Sequence, residues 1–296
     1  MSLPLNRSVR LRVVPHSVCG TLSQGWPRAK VLVSASQLAD EPAAAAGAGA
    51  AVSSADGADA WVAAVEAVLA ELGQTRSLAG MPLDVELADS LVHIDAVSGD
   101  FAGNSDKQLD SVAAACVAEL LGDAAPSHEI RWQLQSGGKH LLIAAISNRH
   151  VQALTDIAAR HRVRLRSVQP DFCLQWNRHA AALKPGSAVF AVASGSDAVV
   201  AHVLNGAITA ISTGNWVTSR ESLAISPVHV KRLMCGLGLE AEATAGALDV
   251  RVGRLLASVG QDEGRQSAYV LVAPDMPETA LSPRWTVINR EPASVV

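Results

Sequence analysis

Ser136-Gly137-Gly138-Lys139-His140 is the segment most like a phosphate loop, because a glycine turn before a lysine lets backbone N–H groups and an ammonium surround a phosphate. The full pattern needs a glycine five residues before the second glycine and a Ser or Thr after the lysine. Those positions hold Gln133 and His140, so the segment reads as a hairpin turn. Ala193-Ser194-Gly195-Ser196-Asp197 is no nucleophile elbow either, since Gly-x-Ser-x-Gly is not met and the segment leads into a strand rather than a helix. The histidines are scattered, the nearest pair being His140 and His150. The cysteines Cys19, Cys116, Cys173 and Cys235 show no Cys-x-x-Cys spacing. Neither a structural zinc site nor a redox dithiol is indicated, and the cysteines read as small buried residues. Asp89, Asp95 and Asp100 read as turn and cap residues ahead of a carboxylate cluster. No residue qualifies as catalytic and none as a metal ligand.

Arg160-His161-Arg162-Val163-Arg164-Leu165-Arg166 alternates charge with apolar residues. In a strand, Arg162, Arg164 and Arg166 would share one face while Val163 and Leu165 point inward, and Arg160 would crowd the same edge. One reading is a charge-protected edge strand. The other is a docking face for an acidic peptide or membrane headgroups. Without interleaved aromatic residues, nucleic-acid binding ranks last.

These groups sit in a chain of 296 residues that is 49% hydrophobic and 18% charged, the composition of a globular protein large enough for one big domain or two ordinary ones. The formal net charge of −4 supplies no global positive field for nucleic acid or an anionic membrane. No run approaches the roughly 18 apolar residues of a membrane span, and the start has no apolar signal core, so a cytosolic protein is expected.

The elements that must position the candidates follow from periodicity. Residues 8–23 read as two strands about Pro15-His16-Ser17, with a third strand over 30–34. Residues 43–60 are nearly all Ala, Gly, Ser and Asp, a link rather than an element. Asp59 then caps a helix carrying Trp61, Val62, Val65, Val68, Leu69 and Leu72 at 3- and 4-residue spacing. Strands over 83–87 and 91–97 precede a helix over 109–121. Strands over 130–135 and 141–147, a helix from Arg149 to His161 and a strand over 163–168 form a compact β-β-α-β module. A meander follows over 189–192, 199–204 and 208–212, its second turn marked by Asn205-Gly206. Helices over 226–235 and 247–258 and strands over 269–273 and 284–288 close an α/β chain without a tandem repeat.

From Ile130 onward the order of elements resembles the PilM family, actin-like cytoplasmic proteins of type IV pilus systems, and the cytoplasmic domain of the related type II secretion component. The text that carries the resemblance is His140-Leu-Leu-Ile-Ala-Ala-Ile-Ser-Asn-Arg-His150, the strand ending Arg166-Ser-Val-Gln-Pro170, Asn177-Arg178, and residues 188–206 continued by Ile211-Ser212-Thr213-Gly214. It implies an actin-like (ribonuclease H-like) two-lobed α/β fold. The first lobe spans 1–129, a small inserted β-β-α-β subdomain 130–169, and the second lobe 170–296.

In such folds the two phosphate hairpins carry Asp-x-Gly, the acid for magnesium and water and the glycine for close backbone approach. This chain departs from it twice. The first hairpin reads Val13-Val14-Pro15-His16-Ser17-Val18, and at the second the expected Asp falls on Val192 or Ala193. Ser17, Ser194, Gly195, Ser196, Asp197 and Gly214 are what remain for a vestigial nucleotide site. Cys235-Gly236-Leu237-Gly238 is the one candidate adenosine loop, and a helix cap explains it equally. No cofactor is certain; weak binding of ATP with magnesium is the most that the resemblance implies. The implied role is a non-catalytic scaffold beneath a pilus or secretion apparatus, cytoplasmic and held at the inner membrane through a partner. That partner is the cytosolic N-terminal tail of a single-span membrane protein, docked through Arg160, Arg162, Arg164 and Arg166; self-association is left open. The alternative is an active actin-like ATPase or sugar-kinase-type phosphotransferase with unconventional ligands.

Overall fold

The computed structural model describes residues 7–25, 30–38, 57–135, 137–183, 185–194, 197–215, 267–272 and 285–289. The link at 43–56, the expected helices at 226–235 and 247–258, and Cys235-Gly236-Leu237-Gly238 lie outside them. The chain divides into two compact units, the first taking residues 1–91 and 146–171, the second 92–145 and 172–292.

In the first unit, β1 (Arg7–Val14) and β2 (Ser17–Gln24) form the expected hairpin. β3 (Lys30–Leu38) runs four residues past its expected end because it pairs along the whole of β2. β4 (Pro82–Leu87) and β8 (Arg164–Pro170) add in parallel, giving the order β3-β2-β1-β4-β8. Alternation along β1 places Val9, Leu11 and Val13 on one face, each fully buried. Against that face pack α1 (Gly57–Thr75), through Trp61, Val65, Val68, Leu69 and Leu72, and α3 (Asn148–Arg160), through Leu154, Ile157 and Ala158. α1 starts two residues before the expected cap. The opposite face is polar, with Arg10 opposite Asp84 and Arg12 opposite Glu86 in register.

In the second unit, β5 (Val92–Ser98), β7 (His140–Ser147) and β6 (His128–Leu134) make a three-stranded sheet ordered β5-β7-β6. One face is covered by α2 (Asp106–Leu121), whose Leu109, Ala113 and Val117 meet Leu141, Ile143 and Ala145. The helix starts on a capping box in which Gln108 Oε1 accepts the Ser105 N–H at 2.8 Å. The other sheet is built from β9 (Ser187–Ser194), β10 (Asp197–Leu204), β11 (Ala207–Asn215), β12 (Ser267–Val272) and β13 (Trp285–Asn289), ordered β11-β10-β9-β12-β13. α4 (Asp171–His179) packs Phe172 and Trp176 edge-on to Phe190 of β9.

One expectation is corrected here. The β-β-α-β module over 130–169 does not stay together. β6 and β7 pair with β5, whereas α3 and β8 join the first unit, because β8 finds a parallel partner in β4 and α3 covers that sheet. A repeat of topology accompanies the absence of any tandem repeat in the sequence. Each five-stranded sheet is an antiparallel three-strand meander whose first strand is extended by two parallel strands.

Candidate functional site

In open α/β sheets, ligands gather at the carboxyl ends of the parallel strands. In the first unit those ends belong to β1, β4 and β8, and three charged side chains converge there. Arg12 Nε lies 3.3 Å from Glu86 Oε1, and Arg12 Nη2 lies 3.5 Å from Oδ2 of Asp171, the first residue of α4. Glu86 and Asp171 are buried, Asp171 to 1% exposure, and their charges are tolerated because a guanidinium stands between them. This cluster was not read from the sequence; Arg12 and Asp171 are 159 residues apart.

Beside it, the β1–β2 turn consists of Pro15 and His16 alone. Neither residue adopts a positive φ, and Pro15 has no N–H to offer. Ser17 opens β2 opposite Val14. This turn does not fit a phosphate cradle, which needs successive N–H groups turned to one side. In the second unit, Ser194 and Asp197 are ladder partners closing the β9–β10 hairpin, and Gly214 pairs with Ala198. Gly195 and Ser196 lie outside the described residues.

The arginine stripe is divided by the backbone. Arg160 ends α3 and is bidentate to Glu66 of α1, both bonds at 2.9 Å. That hydrogen bonding holds the Glu66 carboxyl below its usual range. Arg162 lies before β8 with φ 55°, in the turn whose backbone meets Gly80, so it does not share the strand's face. Arg164 opens β8 and is exposed. Arg166 is the extra residue of a bulge, since Leu83 faces Leu165 while Asp84 faces Ser167. Its guanidinium is bidentate to Asp84, which also accepts from Ser167 Oγ at 2.7 Å. Burial alone would raise the Asp84 carboxyl, but the bonds from Arg166 and Ser167 and the charges of Arg166 and Arg10 outweigh it and hold it low. Two arginines are thus structural. Arg162 and Arg164 have no carboxylate partner among the described residues and remain at the edge of the sheet.

Elsewhere, the His93 and His128 rings meet edge-on at 5.6 Å, and burial followed by the neighbouring ring lowers the pKa of His93. No group of three metal-ligating side chains exists among the described residues, and no described helix is long and apolar enough to cross a membrane.

No protein-family model and no curated protein matches the sequence. Solved structures do match in shape. The cytoplasmic domain of EpsL, an inner-membrane component of the type II secretion system of Vibrio cholerae, superposes with a TM-score of 0.51 at 12% identity, over 96% of this chain and 90% of that one. A chain of the PilM-PilN type IV pilus biogenesis complex superposes with a TM-score of 0.60 at 12% identity, over 97% and 89%. With the repeated sheet, this likeness establishes the actin-like fold.

Proposed function

We propose that the protein is a binding component of an inner-membrane assembly platform of the pilus or secretion type, holding the cytosolic tail of a membrane partner. The observation that carries this reading is the likeness over nearly the whole chain to a PilM-PilN complex, a protein solved together with its partner. The first hairpin supports it, having no glycine and no N–H at Pro15. The docking groups are Arg162 and Arg164. Arg160 and Arg166 are occupied by Glu66 and Asp84 and act as struts.

The test is to isolate the full chain from crosslinked native membranes and measure binding of the cytosolic segment of whichever membrane protein is crosslinked. Exposed charged contacts contribute about 0.2–1 kcal/mol each. Replacing Arg162 and Arg164 together by Ser should weaken binding about three- to tenfold, and rising salt should do the same. Absence of any membrane partner overturns the reading; unchanged affinity in the double variant returns both arginines to edge protection.

A second reading, an actin-like ATPase or phosphotransferase with unconventional ligands, is favoured by one observation. Glu86 and Asp171 place two carboxylates at the strand ends.

A further inference from the structure

Three polar side chains form a single line across β9, β10 and β11. Ser187 Oγ is 3.0 Å from His202 Nε2, and His202 Nδ1 is 2.5 Å from Thr209 Oγ1. The β10–β11 ladder slips at this point, His202 facing Ala210 and Val203 facing Ile208. Thr209 is the extra residue, and the bulge turns its hydroxyl onto the imidazole. His202 is 2% exposed, while Ser187 and Thr209 at the two ends are half-buried.

The proton positions follow from using every donor. Thr209 Oγ1 stands 3.4 Å from the His202 carbonyl oxygen, to which it donates. Its lone pair then accepts the Nδ1 proton, and the bare Nε2 accepts the Ser187 hydroxyl proton. That is the arrangement in which an imidazole serves as base to a serine. Burial, and secondarily the neighbouring charge of His140 at the start of β7, disfavours the imidazolium and keeps His202 ready as a base. His140 is itself held toward its neutral form by burial and then by the charge of Lys139. Ser187 is the first residue of β9 and is half-buried rather than enclosed, unlike the imidazole it faces.

We propose that Ser187 is an activated hydroxyl, with His202 as its base and Thr209 as its positioning residue, that takes an acyl group from a thioester or aryl ester. Ser187 Oγ attacks the acyl carbonyl carbon while its proton passes to His202 Nε2. The carbon–sulfur or carbon–oxygen bond of the donor then breaks. The proton passes to the leaving thiolate or phenolate, giving an acyl-serine and a free thiol or phenol. This activity is independent of the partner-binding reading, whose arginines lie in the first unit.

The experiment treats the full chain with p-nitrophenyl acetate and with a fluorophosphonate and reads the adduct by peptide mass spectrometry. The expected adduct is on Ser187, absent in Ser187→Ala. Its formation should be slower by about a hundredfold in His202→Gln, the scale of a positioned general base. In the intact protein the rate should rise with pH around a midpoint below about 6.5, the ordinary imidazole value. Thr209→Val should slow the reaction several-fold and move that midpoint, which a merely structural threonine would not do. No Ser187 adduct, an unchanged rate in a folded His202→Gln, or a flat pH profile around that midpoint overturns the proposal. The profile and Thr209→Val decide the matter if His202→Gln does not fold.

Discussion

At the scale of single residues, the first unit's sheet is polar on one face, and its charges are placed by register rather than by chance. Asp84 shows what that placement does. It sits opposite Arg10 on β1 and accepts from Arg166 and Ser167 of β8, so it ties the edge strand to the interior of the sheet. Its carboxyl is held below the ordinary range, so the folded chain binds a proton there less readily than the unfolded one. The stability it contributes is complete above the unfolded value of about 3.9 and is lost as pH falls through the lower folded value. Asp84→Asn should therefore cost about 1–3 kcal/mol at neutral pH, the cost of leaving bonded groups without their partner. It should also flatten the loss of stability below about pH 4. Denaturant melts at pH 7 and pH 3 read both effects; an equal loss at the two pH values would deny Asp84 this role.

At the scale of elements, close approaches decide which changes the fold can bear. A Cβ on Gly20 of β2 would lie 2.4 Å from Val68 Cγ1 of α1, with Leu11 and Leu72 at 3.0 and 3.1 Å. Gly20→Ala should therefore push helix from sheet and cost about 1–3 kcal/mol. The β6–β7 turn offers a matched pair. Gly137 and Gly138 both have positive φ, but only Gly138 has a neighbour, Ala102, whose Cβ would be 2.8 Å from the added atom. Gly137→Ala should cost only the backbone strain, about 1 kcal/mol, and Gly138→Ala clearly more. Thermal melts compare the two, and equal losses would remove Ala102 from the account.

The same scale shows what the sequence makes legible. Among the described residues, the positions of α1, α2, α3 and the strands follow from periodicity, and the Asn205-Gly206 turn falls as expected. α4 escapes periodicity because Gln175, itself buried, interrupts an apolar stripe of Phe172 and Trp176. The arginine stripe departs from simple alternation because Arg162 is left-handed and Arg166 is a bulge residue. Ser187, His202 and Thr209 were likewise hidden, since only the bulge brings Thr209 to the ring. The Arg12, Glu86 and Asp171 cluster depends on strand order, which spacing along the chain does not encode.

At the scale of the whole molecule, the two five-stranded sheets repeat one topology, and each opens on a β-hairpin turn, closed by Val14 and Ser17 in the first and by Ser194 and Asp197 in the second. An actin-like ATPase holds phosphates with the N–H groups of such turns and places magnesium with an acid beside them. The first turn has lost a donor at Pro15, and its neighbouring acids, Glu86 and Asp171, already share Arg12. A magnesium ion would have to displace that guanidinium from two buried carboxylates, and breaking buried ion pairs costs several kcal/mol. Magnesium-dependent ATP hydrolysis is therefore expected to equal a buffer blank in steady state. Three variants locate any turnover that is found above it. Loss in Asp171→Asn would make the strand-end cluster a working metal site and favour the enzyme reading. Loss in Asp197→Ala alone would shift the site to the second hairpin. Turnover surviving both, but abolished in Ser187→Ala, would connect it to the serine line instead. Turnover that persists in all three would come from a contaminant and leave the binding role to be judged by its partner.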